Sequence, residues 1–308
     1  MKVQFSRGNG QYTFNYFDGF NFPGFTGVQF GIPVYLTGTV NFGMSPSHRI
    51  TQRGPFQEGD TDIDFRLDPR IMSLPIVVPA SSIDEHFIYR DKLLNIFKPG
   101  NDTSRLEVYF SDGPIQYIRY IDVKILSSLT LDTDSKDFNI RGVIQMRADD
   151  PTWYDGLNYY EATLTSPILG TPTPYPKPYE VPYGSAGIGG ITNVLYEGTW
   201  ISYPVLTAVG PLTDLTITDA LGHVISIDTP IPASTYISID LKYGAKTVID
   251  QDGVNRFSWL DINSDLINWA LYPDPFVVGG INTISVSATG TDGGSSVSIN
   301  WIPRFIGV

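Results

Sequence analysis

One helix constrains this chain more than any other stretch. Ser82-Ile83-Asp84-Glu85 spells a capping box, in which the Ser82 hydroxyl takes the Glu85 backbone N–H and the Glu85 side chain reaches back. Phe87, Leu93, Leu94, Ile96 and Phe97 then recur at helical spacing among Arg90, Asp91, Lys92, Asn95 and Lys98. Pro99-Gly100 ends the run, because proline cannot continue the ladder and glycine accepts a left-handed turn. Two alternating stretches follow, Leu106 to Phe110 and Ile115 to Ile125, with Ser111-Asp112-Gly113-Pro114 between them. No other segment of the 308 residues carries a convincing helical period. A single helix leaning on a hairpin in a strand-rich chain means α+β or decorated all-β, not a doubly wound sheet.

The expected class is therefore mainly β, and 308 residues are too many for one ordinary β core. Two domains are expected, 1–150 and 151–308, joined at Ala148-Asp149-Asp150-Pro151-Thr152-Trp153-Tyr154-Asp155. The first reads as a β-sandwich-like domain with one helix and a hairpin. Within it, residues 3–17 predict two strands around Gly8-Asn9-Gly10, and 18–31 a loop with short extended pieces. Val34, Leu36, Val40 and Phe42 alternate, Ser45 to Asp60 reads as a polar loop, and Asp60 to Leu67 alternates again. Leu74 to Val78, fenced by Pro75 and Pro79, predicts a short edge strand, and Phe138 to Arg147 closes the domain.

After a strand at Tyr159 to Leu164 comes a biased run, 166–190, with Pro167, Pro172, Pro174, Pro176, Pro178 and Pro182 interleaved with Tyr175, Tyr179 and Tyr183. Its first part predicts a stiff polyproline-like arm, and its glycines from Gly184 to Gly190 a flexible hinge. From Val194 onward short strands alternate with turns every 8–12 residues, the pattern of a sandwich or jelly roll.

Several chemistries are excluded or unsupported. The chain has no cysteine, so it has no disulfide framework, thiol nucleophile or thiolate metal site. Its net charge is −12, with 15 basic against 18 acidic residues over 1–150 (net −3) and 5 against 14 over 151–308 (net −9). Such a balance does not neutralise phosphates, so sequence-specific nucleic-acid binding is not expected. No apolar run is long enough to span a bilayer, and the first residues lack a signal-peptide core, so the chain is expected to stay where it is made. His48, His86 and His223 lack metal-ligand spacing, and His86 reads as a surface or half-buried helix residue. Asp132 to Asp137 opens like a calcium loop but lacks its glycine and terminal glutamate, so a solvated turn is the better reading. Gly187-Ile188-Gly189-Gly190 follows prolines rather than a strand, which argues against a nucleotide loop. Trp200, Trp259 and Trp269 stack on sugar in one reading and fill a core or an interface in the favoured one. No residue is assigned a catalytic, metal or cofactor role, and no cofactor is expected.

Taken together, the helix with Arg90, Leu94 and Phe97 ending at Pro99-Gly100, the hairpin after it, the Ala148-to-Tyr154 joint and two late segments resemble a known family. Those segments are Gly279-Gly280-Ile281-Asn282-Thr283-Ile284 and Ile299-Asn300-Trp301-Ile302-Pro303-Arg304-Phe305-Ile306-Gly307. The family is the distal tail protein of long, non-contractile-tailed bacteriophages, and the resemblance covers both halves in order. It implies a homo-hexameric ring in the virion, made in the host cytoplasm. The first half forms the ring between the tail tube protein on one side and the tail-tip or receptor-binding proteins on the other, around a channel for DNA. The second half is implied to be a galectin-like sandwich. Contacts between subunits or with partners are then expected at Tyr175, Tyr179, Tyr183, Arg90 and Phe97. The alternative is a carbohydrate-binding module that attaches the particle to its host through the second half; a free-standing glycosidase is a weaker third.

Overall fold

In the computed structural model, residues 2–16, 32–112, 115–126, 129–133, 138–165 and 187–308 are described. The chain forms two compact units, Met1–Leu157 with Phe305–Val308, and Asn158–Arg304. The expected boundary at 150/151 therefore falls inside the first unit. The cause is Trp153: it is fully buried in the first core, 5.4 Å from Phe42, and carries its strand with it.

Unit 1 contains β1 (Lys2–Arg7), β2 (Gly10–Tyr16), β3 (Tyr35–Leu36), β4 (Ser47–Gln52), β5 (Thr61–Leu67), β6 (Arg70–Val78), α1 (Ile83–Ile96), β7 (Ser104–Asp112), β8 (Ile115–Ile125), β9 (Thr130–Thr133), β10 (Ile140–Ala148) and β11 (Trp153–Asp155). All but β4 and β5 join one sheet, ordered β11-β8-β7-β1-β2-β3-β6-β10-β9, and an added β8–β10 pairing folds it into a near-barrel. The alternation seen in sequence fills it: Val3 and Phe5, Leu106 and Val108, Ile121 and Val123, and Ile140, Ile144 and Met146 all point inward.

The capping box forms, with the Glu85 N–H donating to Ser82 Oγ at 3.2 Å. The Glu85 carboxylate reaches one residue further back than the usual motif and takes the Ser81 N–H at 2.8 Å. Leu93 and Phe97 anchor α1, the Phe97 ring lying 5.2 Å from Phe5 and 6.3 Å from Phe14. His86 is buried rather than superficial, and its Nδ1 donates to the Phe138 carbonyl at 2.9 Å.

Two strand expectations change. β6 is nine residues long and central, with β3 on one side and β10 on the other, not a short edge strand. Pro75 is tolerated because a residue's nitrogen and carbonyl face the same side of a strand. The Pro75 carbonyl accepts from Thr37, just past the end of β3, so no ladder partner needs the missing N–H. The polar loop expected over 45–60 instead contains β4, which pairs with β5 as a separate two-stranded sheet.

Unit 2 contains β12 (Tyr160–Thr165), β13 (Gly187–Leu195), β14 (Val205–Val209), β15 (Thr213–Thr218), β16 (Val224–Ile227), β17 (Tyr236–Asp240), β18 (Thr247–Asp250), β19 (Ile281–Thr289) and β20 (Ser296–Trp301). They form two antiparallel sheets, β12-β20-β14-β17-β18 and β13-β19-β15-β16, over one core that includes Trp269, Ile284, Val297 and Ile299. This is the expected sandwich. Gly187 to Gly190 do not make a hinge; they open β13 and pair in register with Val286 to Thr289 of β19. β19 and β20 flank the expected turn but belong to opposite sheets, so that turn crosses the sandwich. Among the described residues no helix is long and apolar enough to cross a membrane, and no group of three or more acidic or histidine side chains is placed to hold a metal ion.

Candidate docking surface

The β4–β5 hairpin forms a two-stranded sheet of its own. Every residue of β4 is exposed, as is all of β5 except Leu67. Ile50, Ile63, Phe65 and Phe56 all face water, although nothing in a lone chain favours such exposure. Arg49 braces one face, with Nη1 2.7 Å from Asp62 and its guanidinium 5.6 Å from the centre of the Phe65 ring.

At the tip, Gly54-Pro55-Phe56-Gln57 make a turn closed by Gln57 N–H to Gly54 O at 3.2 Å. The Gly54 N–H donates to Gln57 Oε1 at 2.9 Å, and the Gln57 amide donates to Thr61 at 2.7 Å. Proline suits the second place of such a turn, but the third holds Phe56 at φ +67, where glycine is the comfortable residue. Left-handed backbone costs an L-residue roughly 1–2 kcal/mol. The tip therefore holds a strained backbone that presents one fully exposed phenyl ring.

The root of the hairpin is built around Arg70. Its guanidinium is fully buried and donates to four carbonyls: Asn41 at 2.8 Å, Gly43 at 2.7 Å, Pro151 at 2.9 Å and Ile306 at 2.7 Å. Burial pushes its pKa down to about 10, and the Trp153 ring lies 5.9 Å away. Asp68 N–H closes the base on Pro46 O at 2.9 Å, and Ser45 Oγ donates to Pro151 O at 3.3 Å. Nothing in the sequence marked Arg70 except its place before an apolar strand. The hairpin itself left two faint signals, the paired polar alternations around Gly54-Pro55 and the apolar pair Ile63 and Phe65.

Of the residues expected at contacts, Arg90 lies exposed on α1, in an outward stripe with Ile83, Phe87 and Leu94 at the spacing of one helix face. Phe97 is a core side chain, turned away from that stripe. Tyr175, Tyr179 and Tyr183 fall outside the described residues, as do Asp134 to Asp137 of the calcium-like run.

Unit 2 offers less for sugar stacking than its tryptophans suggest. Trp269 is buried, its indole N–H donating to Ile217 O at 3.3 Å, and Trp259 lies under the Arg256 guanidinium at 4.8 Å. Trp200 is half-buried. His223 Nδ1 sits 2.7 Å from the buried Asp219 carboxylate, which also accepts from His223 N–H at 2.8 Å and Leu221 N–H at 3.0 Å. That arrangement ties down the β15–β16 turn, a structural use of the pair.

Residues 34–140, which include the hairpin, its Arg70 root and α1, match the family model described as phage tail protein RIFT-related domain. Over nearly the whole chain the fold resembles that of the Dit protein of phage SPP1, described as a paradigm of the hub adsorption apparatus of phages that infect Gram-positive hosts. The likeness covers 88% of this chain and 93% of that one, at 14% identity and a TM-score of 0.60. Chains from the phage P2 baseplate in its activated conformation, with calcium and with strontium, align over 97% of this chain. Each is 13% identical, at TM-scores of 0.42 and 0.40. No curated protein matches the chain.

Proposed function

We propose that this chain is a structural, non-enzymatic component of a siphophage tail: a ring-forming hub in the virion, made in the host cytoplasm. Its six copies surround a channel for DNA at the distal end of the tail, between the tail tube protein and the tail-tip or receptor-binding proteins. The observation that carries the reading is the whole-chain likeness to the SPP1 hub, which takes in both units in the same order, with the RIFT-related domain in the first. A closed ring requires head-to-tail contacts. The exposed hairpin and the Ile83–Phe87–Arg90–Leu94 stripe supply apolar surface for them within the RIFT-related unit, with Phe56 as the anchor. The net charge of −12 suits a channel that lets DNA pass without holding it.

The test is the solution mass of the purified chain by light scattering, with negative-stain images of the same peak. Six copies around a central hole is the expected outcome. A monomer both alone and with the tail tube protein would sink the reading. A glycan array with the full chain checks the sugar-binding alternative, and no bound glycan is expected.

A further inference from the structure

We infer that the hairpin tip of one copy, Phe56 with Arg53 beside it, seats in a cleft formed by the 255–267 loop of a second copy. Resting on the ring-forming reading above, the contact gives that ring its two unlike surfaces. A head-to-tail interface needs one of each on every chain. The concave member lies in unit 2. There the loop forms a cleft of about 350 Å³, lined by buried Leu266, by Phe257, Leu260 and Ile262, and by the polar Asp261 and Ser264. Ile262 is 95% exposed, so in a lone chain the cleft turns apolar wall to water. Its shape is set in advance. Asp261 N–H bonds to Ser226 O at 2.9 Å, Leu260 N–H to Phe257 O at 3.3 Å, and the Ser264 hydroxyl holds both Ser226 N–H and Ser226 O at 3.0 Å.

The convex member is the tip. Its ring is fully exposed, on a turn closed by Gln57 N–H to Gly54 O, and the left-handed backbone at Phe56 has no use in the lone chain. The base below it is held by Asp68 N–H to Pro46 O at 2.9 Å and by Val308 N–H to Phe42 O at 3.1 Å, between the two carbonyls that Arg70 takes from Asn41 and Gly43. Knob and cleft that are both formed beforehand lose little freedom on meeting. A cleft of this volume takes a drug-sized ligand, so one phenyl ring with the proline before it fits inside.

Charge selects the same pair. Residues 47–57 carry Arg49 and Arg53 and no acidic residue, the hairpin's acids beginning only at Glu58; residues 257–267 carry Asp261 and Asp265 and no basic one. Arg49 is engaged by Asp62, but Arg53 uses only its Nε, on Gln57 O at 3.3 Å, and its terminal nitrogens have no partner among the described residues. In the cleft, Asp261 Oδ1 takes the Asn263 N–H at 2.7 Å, which leaves the other carboxylate oxygen for a donor. Arg53, three residues before the ring, meets that carboxylate as the ring enters.

The chain has no native cysteine, so Glu58→Cys and Asn263→Cys set single thiols beside the tip and beside the cleft, both at exposed positions. Equal amounts of the two full-length variants are mixed, alone and with the tail tube protein, treated with a short bis-maleimide and run on a denaturing gel. Light scattering on the same samples scores assembly. A cross-linked pair is expected in the mixture at roughly tenfold the yield of either variant by itself. Phe56→Ala or Arg53→Glu, added to the Glu58→Cys chain, is expected to cut that yield by roughly fivefold or more. Rings that form without the cross-link overturn the contact, leave the ring reading standing and hand the cleft to another tail protein. Cross-linking indifferent to both tip substitutions overturns it as well, since mere proximity then joins the thiols. Cross-linked pairs without closed rings keep the contact and remove the ring, and a sample with neither overturns both.

Discussion

The hairpin of the first unit and the 255–267 loop of the second are both excursions from a β core that expose apolar side chains, yet they are held in opposite ways. The loop exposes Phe257, Ile262 and Ile267. It is also sewn along its length to the edge strands of both sheets of its own sandwich. Arg256 N–H bonds to Val248 O, Asp228 N–H to Trp259 O, Asp261 N–H to Ser226 O and Asp265 N–H to Val224 O, at 2.7–3.0 Å. Edges that would otherwise invite foreign strands are covered from within. The backbone of the hairpin, among the described residues, bonds within its own two strands and at its base, through Asp68 N–H to Pro46 O. One excursion completes its own sandwich; the other pairs its backbone chiefly with itself. Exposed apolar area alone does not distinguish them, but the destination of their backbone hydrogen bonds does.

If the hairpin depends on one side chain at its root, removing that side chain has the largest effect in the molecule outside the core. Arg70→Met leaves four carbonyls without their donor, and breaking a hydrogen-bonded network around a buried charge costs about 3–5 kcal/mol. In calorimetry of the full chain the first unit's transition falls while the second unit's stays in place. Two unaltered transitions would show that Arg70 is dispensable and would dissolve the contrast.

Next in size is the tip. Phe56→Ala removes a ring that touches nothing in its own chain, so stability moves by no more than about 0.5 kcal/mol. Loss of a docking anchor costs about 2 kcal/mol or more, roughly 30-fold in assembly, read as the shift in the concentration at which rings form. Phe56→Gly gives the sharper test, because the two readouts part in sign. Relief of the left-handed backbone, less the added freedom of the unfolded chain, stabilises the fold by about 0.5–1 kcal/mol while assembly still falls. An assembly constant unmoved by either substitution assigns the strain at Phe56 no part in docking.

The loop answers differently because its attachment is spread out. Ser264→Ala removes the hydroxyl that takes Ser226 N–H and donates to Ser226 O, both at 3.0 Å. The expected cost is about 1–2 kcal/mol for the second unit, with no release of the loop, since the backbone bonds on either side remain. Hydrogen exchange that becomes fast across all of 255–267 in this variant would mean the loop, too, hangs from one point.

How much of this was legible in the sequence follows the same division. Ser82, Glu85, Leu93 and Phe97 announced α1 because cap and core impose a pattern that only a helix satisfies. The strands of the sandwich showed the same clarity, since one face of each is buried and alternation is obligatory. β4 escaped notice for the converse reason: Ser47-His48-Arg49-Ile50-Thr51-Gln52 buries neither face, so no periodicity is required of it. Pro75 disguised a central strand as an edge. The role of Arg70 was invisible because its partners are carbonyls more than twenty residues away, and a carbonyl has no sequence signature. Trp153 misled the boundary: Pro151 marks a turn, but the residues after it still belong to the first core. What local patterns specify is readable; what depends on a distant backbone is not.

The smallest expected effect is one of pH, and it separates the two attachments by chemistry. Burial raises the Asp265 carboxyl, but hydrogen bonds from the Asn268 backbone and side chain and from Ile267 N–H outweigh it and leave the group below the usual carboxylate range. Asp250 is held low in the same way, burial being outweighed by Val254 N–H, Arg256 and Asp252 N–H. A carboxyl depressed in the folded state stabilises it fully above its unfolded value, about 4, and that contribution is lost as the pH falls through the lower folded value. Acid therefore loosens the 250–268 region below about pH 4, whereas the four carbonyls around Arg70 do not titrate and Arg70 stays charged throughout. Exchange protection followed from pH 6 to pH 3, corrected for intrinsic rates, is expected to fall at Asp252, Val254, Ile267 and Asn268 before it falls at Asp68 and Val308. The reverse order would mean that the hairpin root leans on carboxylates after all, and that its strength does not reside in the guanidinium.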